Sequence, residues 1–389
     1  MTSSLAENPV APGGDLIPIV DADVHNYAVP LSPELDKYMS KRWVEYLQTM
    51  GMFHTRGGGE RPRQRQYAHR TDSIPPGGGR PGTDPAFARE QLLDLYGMSG
   101  AILNDIAAAA LVTGSDSCPL ELSLEIVRAY NDWRVEWFES DPRWYASINV
   151  PFESPSEAVK EIERCREHKG ADGDRFVQVM FCGASDEPIG RARYWPIFEA
   201  CEHYGIPVGI HAAGGKRGTP CGHTNFYFED HTDFALVDFP IVASLIFEGV
   251  FDRFPSLQVA LLELGWSWVV PFGWRLDASW RVLREEVPHL QRKPSDYIRN
   301  HFWLTTQPME EPDHPEFLKG VYELMCEAGM DERLMYSSDY PHWDFDPPEA
   351  LDTMPVPMRR KVLGRNASEL YGIPLLDGVG ARARAASRA

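Results

Sequence analysis

A chain of 389 residues with 57 acidic against 38 basic side chains carries a formal charge of −19, which leaves no surplus of Lys and Arg for phosphate contacts and excludes general nucleic-acid binding. A hydrophobic content of 43% beside 24% charged residues is that of a globular protein rather than a disordered chain. No stretch approaches the roughly 18 apolar residues of a membrane helix, residues 1–14 lack a basic leader, and the six cysteines form no CxxC pair; a cytoplasmic protein with no membrane partner, zinc finger or disulfide framework is expected.

In chain order, residues 17–23 form the first short apolar run, and seven more follow at 100–104, 144–150, 176–181, 207–212, 258–264, 302–307 and 334–340. Helical spacing fills the segments between and after them, at 87–96, 120–138, 158–168, 192–203, 241–251, 268–284, 315–328 and 358–371. Eight such strand-helix repeats predict an α/β fold closed into a (β/α)8 TIM barrel, since an open doubly wound sheet has no preference for eight. Ser154-Pro155-Ser156-Glu157 predicts a helix start, with Ser154 as the N-cap and Glu157 reaching back.

Two connections, 26–85 after the first strand and 213–240 after the fifth, exceed ordinary loops of about 2–6 residues. Both follow strands, so these β1-α1 and β5-α5 insertions are expected to rise from the carboxyl-terminal face. Within the first, the stretch 56–80 holds Arg56, Arg61, Arg63, Arg65, Arg70 and Arg80, opposed only by Glu60 and Asp72, and reads either as a solvated loop or as a cover that meets an anionic substrate. Residues 1–14 and 379–389 read as flexible ends flanking one domain over 15–378.

The residues that close the strands carry the chemistry: Asp23 and His25, then Asn104, Asn149, Gln178, His211, Glu263, Thr306 with Gln307, and Asp339. Apolar strands that all finish in polar side chains at one rim describe a catalytic face. In Asp21-Ala22-Asp23-Val24-His25, alternation along a strand sends Asp23 and His25 to the same side, where they can share one ion. Carboxylate and neutral imidazole suit zinc, iron or manganese, and His211 and Asp339 would complete the set from strands five and eight.

The DxDxH start, Gly209-Ile210-His211, Ser337-Ser338-Asp339-Tyr340-Pro341-His342 and Asn366-Ala367-Ser368-Glu369-Leu370-Tyr371 resemble, in order and over nearly the whole chain, the amidohydrolase superfamily. The resemblance is to the amidohydrolase-related branch that includes the aminocarboxymuconate semialdehyde decarboxylase-like enzymes. It implies a barrel enzyme with Asp23, His25, His211 and Asp339 around one or two divalent transition metal ions, Asp339 also handling protons. The chain departs from many relatives in having Asp23 where they begin HxH, and Glu263 where they carry histidine. Gln178 offers no lysine for a carbamylated bridge. Glu263 could hold a second metal, serve as an acid, or pair structurally with Arg275. His231, His342 and Gln307 lie near the rim by topology and are either substrate contacts or ordinary polar residues.

Motifs common to hydrolases and decarboxylases do not choose the reaction. The acid at Glu263 turns the expectation toward hydrolysis of an amide, ester or thioester, an acyl-coenzyme A type substrate included, with Asp339 and Glu263 as catalytic residues. Non-oxidative decarboxylation or hydration of an aromatic or unsaturated carboxylic acid is the alternative, and a catalytically inactive ligand-binding barrel a third reading. The expected partner is a small anionic molecule, with a homodimer left open. No GxSxG elbow or Walker A sequence occurs.

Overall fold

Short runs of continuously buried residues are what a parallel strand needs when side chains fill one face and helices cover the other, and eight of them build this fold. In sequence order they are Val20–Val24 (β1), Gly100–Leu103 (β2), Trp144–Asn149 (β3), Phe176–Cys182 (β4), Val208–His211 (β5), Val259–Leu262 (β6), Phe302–Thr305 (β7) and Leu334–Met335 (β8). Each pairs in parallel with the next, in one sheet ordered β1 to β8. The computed structural model describes residues 17–28, 30–50, 68–105, 119–168, 170–182, 185–211, 226–232 and 238–376. The predicted flexible ends, Arg56, Arg61, Arg63 and Arg65, and most of the 213–240 connection lie outside these residues.

The sheet closes into the predicted TIM barrel between β8 and β1, but by an irregular seam. Ala22 N–H donates to Tyr336 O at 2.9 Å, Asp339 N–H to Asp23 O at 3.1 Å and His25 N–H to Tyr340 O at 2.7 Å. The Ser338 N–H is taken by the Asp21 side chain at 3.0 Å. This is why the ladder of β8 stops at Met335 although extended backbone was predicted through 340: a side chain and a left-handed residue, Asp339 at φ 58°, interrupt the pleat. Outside the barrel, Trp133 and Trp137 of helix Leu120–Ser140 and Trp144 of β3 pack edge to face, with ring centroids 5.9 and 5.1 Å apart.

Two local expectations change. Helix Pro155–Arg166 starts where predicted, but Ser154 caps it with its carbonyl, which accepts from Glu157 N at 2.9 Å and Ala158 N at 3.0 Å, and not with its hydroxyl. The helix expected at 87–96 begins at Pro85, because the Asp84 carboxylate accepts from Ala86 N and Phe87 N. The first insertion carries helices Pro33–Asp36 and Lys41–Met50.

Inside the barrel a polar layer lies beneath the rim. Tyr371, from helix Asn366–Tyr371, donates its hydroxyl to Gln178 Oε1 at 3.0 Å, and Gln178 Nε2 donates to Asn104 Oδ1 at 2.9 Å and Ser147 Oγ at 2.7 Å. Asn104 Nδ2 then reaches Asp23 Oδ1 at 2.8 Å. Gly209 is the residue that makes room, since a Cβ there would lie 2.6 Å from the Gln178 amide. Gly209→Ala is therefore expected to push that amide out of its bonds, at about 1–3 kcal/mol for each buried group left unsatisfied. Thermal unfolding should show the variant melting several degrees below wild type; equal melting would mean that the Gln178 side chain yields at no cost.

Candidate metal centre

Alternation along β1 aims Asp23 inward, and His25 follows one step beyond the strand end. Register sets Cys182 beside His211 and His211 beside Leu262, so His211 and Glu263 meet at one level of the rim. Glu263 and Asp339 both sit in the left-handed backbone region, at φ 54° and 58°. A residue with a side chain holds that conformation at a cost on the order of 1–3 kcal/mol. Here it turns each carboxylate out of the pleat toward the axis, held by Glu263 N–H to Thr305 Oγ1 at 3.1 Å and by the Asp339 N–H bond of the seam.

The side chains converge. His211 Nε2 lies 3.3 Å from Asp23 Oδ2 and 3.1 Å from Glu263 Oε2, while His25 Nε2 lies 2.7 Å from Asp339 Oδ1 and 3.7 Å from Asp23 Oδ1. Ligand atoms of Asp23, His25, His211 and Glu263 all fall within 4.8 Å of one another, and so do those of His25, Glu263, Asp339 and His342. The two groups share His25 and Glu263. His25 Nδ1 donates to Asn104 O at 2.6 Å, which leaves Nε2 alone to bind an ion. His25 can therefore serve one ion, and Glu263 belongs to both groups.

Electrostatics agree with a cation here. Burial opposes charge on both histidines, yet Asp23 and Asp339 push His25 up to about 9, and Asp23 and Glu263 push His211 up to about 10. Burial works to raise Asp23, but the imidazoles of His25 and His211 outweigh it and hold Asp23 below the usual carboxylate range. Burial followed by neighbouring carboxylates raises Glu263, and burial raises Asp339 against the pull of His25. Asp339 Oδ2 is buried with no hydrogen-bond partner. Carboxylates that must borrow protons from imidazoles, with one oxygen left unpartnered, form a set that a divalent transition metal ion satisfies better than protons do.

The other predicted residues stand in distinct surroundings. His231, on helix Tyr227–Thr232, bonds Asp344 Oδ2 at 3.0 Å and stands 4.0 Å from Glu263 Oε1. Gln307 Nε2 donates to the same Asp344 carboxylate at 2.9 Å, with Gln307 Oε1 buried and unpartnered. His342 has both ring nitrogens engaged: Nδ1 lies 2.6 Å from Asp339 Oδ1 and Nε2 2.8 Å from the Tyr27 hydroxyl. Arg275 is exposed and, among the described residues, Glu263 forms its ion pairs with imidazoles, so the structural pairing of Glu263 with Arg275 is set aside. Arg70 is bound by Asp72 at 2.6 and 2.9 Å and lies over the Phe345 ring, which removes it as a ready anchor for an anion.

Asp344, Tyr27 as a partner of His342, and His69 are the residues that sequence reasoning missed. Asp344 had a signal, an acid two residues beyond the Asp-Tyr-Pro-His turn. His69 had none, since only folding brings it against Tyr27, with ring centroids 4.6 Å apart.

A family model described as amidohydrolase matches residues 60–373. The chain belongs to the amidohydrolase family. Strand β1 precedes the matched stretch and closes the same barrel. Among curated relatives of this family member, 2-amino-3-carboxymuconate-6-semialdehyde decarboxylase of Dictyostelium discoideum is 24% identical over 64% of this chain and 67% of its own length. Decarboxylase orsB of Emericella nidulans is 26% identical over 56% and 66%. The fold also matches a dihydroxybenzoic acid decarboxylase from Polaromonas sp. JS666, solved with manganese and 2-nitroresorcinol, at TM-score 0.62 and 19% identity over 92% of this chain and 97% of that one. These relatives are decarboxylases by name, and this overturns the expectation that the amidohydrolase site hydrolyses an amide, ester or thioester.

Because His25 and His211 hold protons at pH 7 in the metal-free protein, manganese binding should expel them. Apparent affinity is then expected to weaken as pH falls below about 10 for the His211 proton and below about 9 for the His25 proton, by about tenfold per pH unit for each proton displaced. Calorimetric titration in buffers of different ionisation enthalpy measures the release, and binding without proton release would contradict the assignment of both histidines.

Proposed function

We propose that this protein is a metal-dependent, non-oxidative decarboxylase of an aromatic or unsaturated carboxylic acid. The observation that carries the reading is that the two curated relatives named above are decarboxylases. Two features of this chain support it. Gln178 stands where a bridging lysine would be needed for the dinuclear hydrolytic arrangement, and its amide is fully used in the barrel interior. Asp339 is a fully buried carboxyl among the ligand atoms of the cluster, a group of the type that can hand a proton to carbon.

In this reading Asp23, His25, His211 and Asp339 hold the ion, with Glu263 beside them. When bound, such an ion supplies positive charge that anchors an anionic substrate and stabilises the charge developing as a carbon–carbon bond breaks. Burial of every one of these side chains to 4% exposure or less excludes water, which strengthens each electrostatic interaction inside. His231 and Gln307, tied together through Asp344, orient the substrate at the mouth. Loss of carbon dioxide leaves the bonding pair on the substrate carbon, and the Asp339 carboxyl delivers the proton that completes the new C–H bond.

The manganese-loaded protein should release carbon dioxide from one or more members of a panel of hydroxybenzoates and unsaturated acids, and leave amides, esters and thioesters intact. Asp339→Asn, which keeps the shape but cannot carry the proton, should retain part of the metal and lose turnover by ~10²-fold or more. Wild-type turnover in that variant would remove the proton-donor role. A panel of acids left untouched by the metal-loaded enzyme while an amide or thioester is cleaved would sink the decarboxylase reading.

A further inference from the structure

We propose that Asn149 is a specificity-determining residue whose side-chain amide binds a hydrogen-bond donor and an acceptor standing side by side on the substrate, on the edge away from the carboxylate that leaves. The location of that edge rests on the decarboxylase reading; the contact itself does not. Ser147 of β3 turns inward, since its Oγ meets Gln178 Nε2 at 2.7 Å and Asn104 Oδ1 in the barrel interior. Alternation along β3 sends Asn149, two residues on, to the same side and one pleat nearer the rim. Its side chain is buried at 1% exposure, and neither Oδ1 nor Nδ2 has a hydrogen-bond partner among the described residues.

Three other amides of this part of the barrel are spent. Gln178 accepts from Tyr371 and donates to Asn104 and Ser147, and Asn104 donates to Ala22 O at 3.0 Å and to Asp23. Asn131, from helix Leu120–Ser140, donates to Asn149 O at 2.9 Å and Glu161 Oε1 at 2.8 Å, and accepts from Asn149 N at 3.0 Å and Arg134 Nη1 at 3.3 Å. A buried donor and acceptor without partners lower stability. An asparagine that served only the fold would spend them as these three do.

The backbone of Asn149 is held as firmly as its side chain is unengaged. Pairing between β2 and β3 stops at Ala146, and beyond it the Asn131 amide stands in for a neighbouring peptide by bonding both the N–H and the carbonyl of Asn149. A binding group fixed by a strand and by a clamp behind it is prepared for its ligand. Register places Asn149 beside Met180 of β4, and Cys182 of β4 beside His211 of β5, so the amide stands two strands from the nearest imidazole ligand. Two strand spacings amount to about 10 Å, which leaves room for one ring between the ion and the amide.

An asparagine amide offers an acceptor oxygen and a donor NH2 side by side. A carboxylate only accepts and would leave Oδ1 unpaired, whereas a carboxamide or a vicinal pair of hydroxyls presents a donor next to an acceptor and satisfies both atoms. A site with such groups buried favours the ligand that completes them over the analogue that lacks them.

The test is calorimetric binding to manganese-loaded protein of benzoates that carry, at each open ring position, hydrogen, a carboxylate, a carboxamide or a vicinal pair of hydroxyls. In wild type the carboxamide or the hydroxyl pair at one position should bind on the order of tenfold more tightly than benzoate, and the carboxylate should gain nothing there. The tighter of the two tells which donor–acceptor edge the site takes. In Asn149→Ala that advantage should shrink to about twofold or less, with benzoate affinity kept within about twofold. Asn149→Leu, branched at the same atom but apolar, should lose the same advantage, and at least one of the two variants should melt no lower than wild type because no hydrogen bond of the fold is removed. The same advantage in wild type and both variants, as for an amide that holds only water, would overturn the proposal. So would a wild type without donor–acceptor preference, or a fall of several degrees in the melting of both variants. If the acids bind but release no carbon dioxide, the decarboxylase reading falls while the dissociation constants still decide this one.

Discussion

Carboxylates removed from water repel one another and hold protons that they would otherwise release. At the rim of this barrel Asp23, Glu263 and Asp339 are brought together at no more than 4% exposure, with imidazoles as their nearest counter-charges. That concentration of buried negative charge is the constraint the rest of the structure answers. Two residues accept left-handed backbone to aim their carboxylates, a polar layer running from Tyr371 through Gln178 and Asn104 steadies Asp23, and His25 is turned by the Asn104 carbonyl so that one nitrogen faces the cluster. None of these arrangements improves packing, and several oppose it. They make sense as the housing of a cation.

Legibility in the sequence followed the physical range of each interaction. The barrel, Asp23, His25 and His211 could be read because alternation along a strand and the polar ends of eight apolar runs are local patterns. Glu263 could be read as unusual, but not its company: pairing it with Arg275 uses proximity along the chain, whereas its real neighbours come from the adjacent strand and from across the mouth. Ser154 was rightly placed before its helix and wrongly given a side-chain bond, since the choice between hydroxyl and carbonyl depends on a rotamer. The Tyr27, His69 and His342 group joins three stretches of chain by loop geometry, which no periodic pattern records.

The reaction was the part least accessible from motifs. A metal at the mouth of a barrel serves water attack and carbon–carbon cleavage with almost the same ligands, and an added acid near it reads naturally as help for a leaving group. In the fold Glu263 sits against His211 instead, where its charge offsets an imidazole. Gln178, on the fourth strand, is committed to the interior through its bonds to Asn104 and Ser147.

The irregular seam between β8 and β1 has a bearing on how such a protein comes into being. His25 and Asp339 are 314 positions apart, and the backbone bonds that join their strands are few and partly replaced by a side chain. Contacts of that separation carry a large loop-closure entropy and form late. During synthesis the amino-terminal half of the centre therefore exists long before its other half, as Asp23 and His25 without the aspartate that completes the cluster. An ion that needs both halves is captured firmly only when first and last strands have met, so occupancy of the centre reports that the barrel has closed, and the energy of capture is added at the joint where the sheet is weakest.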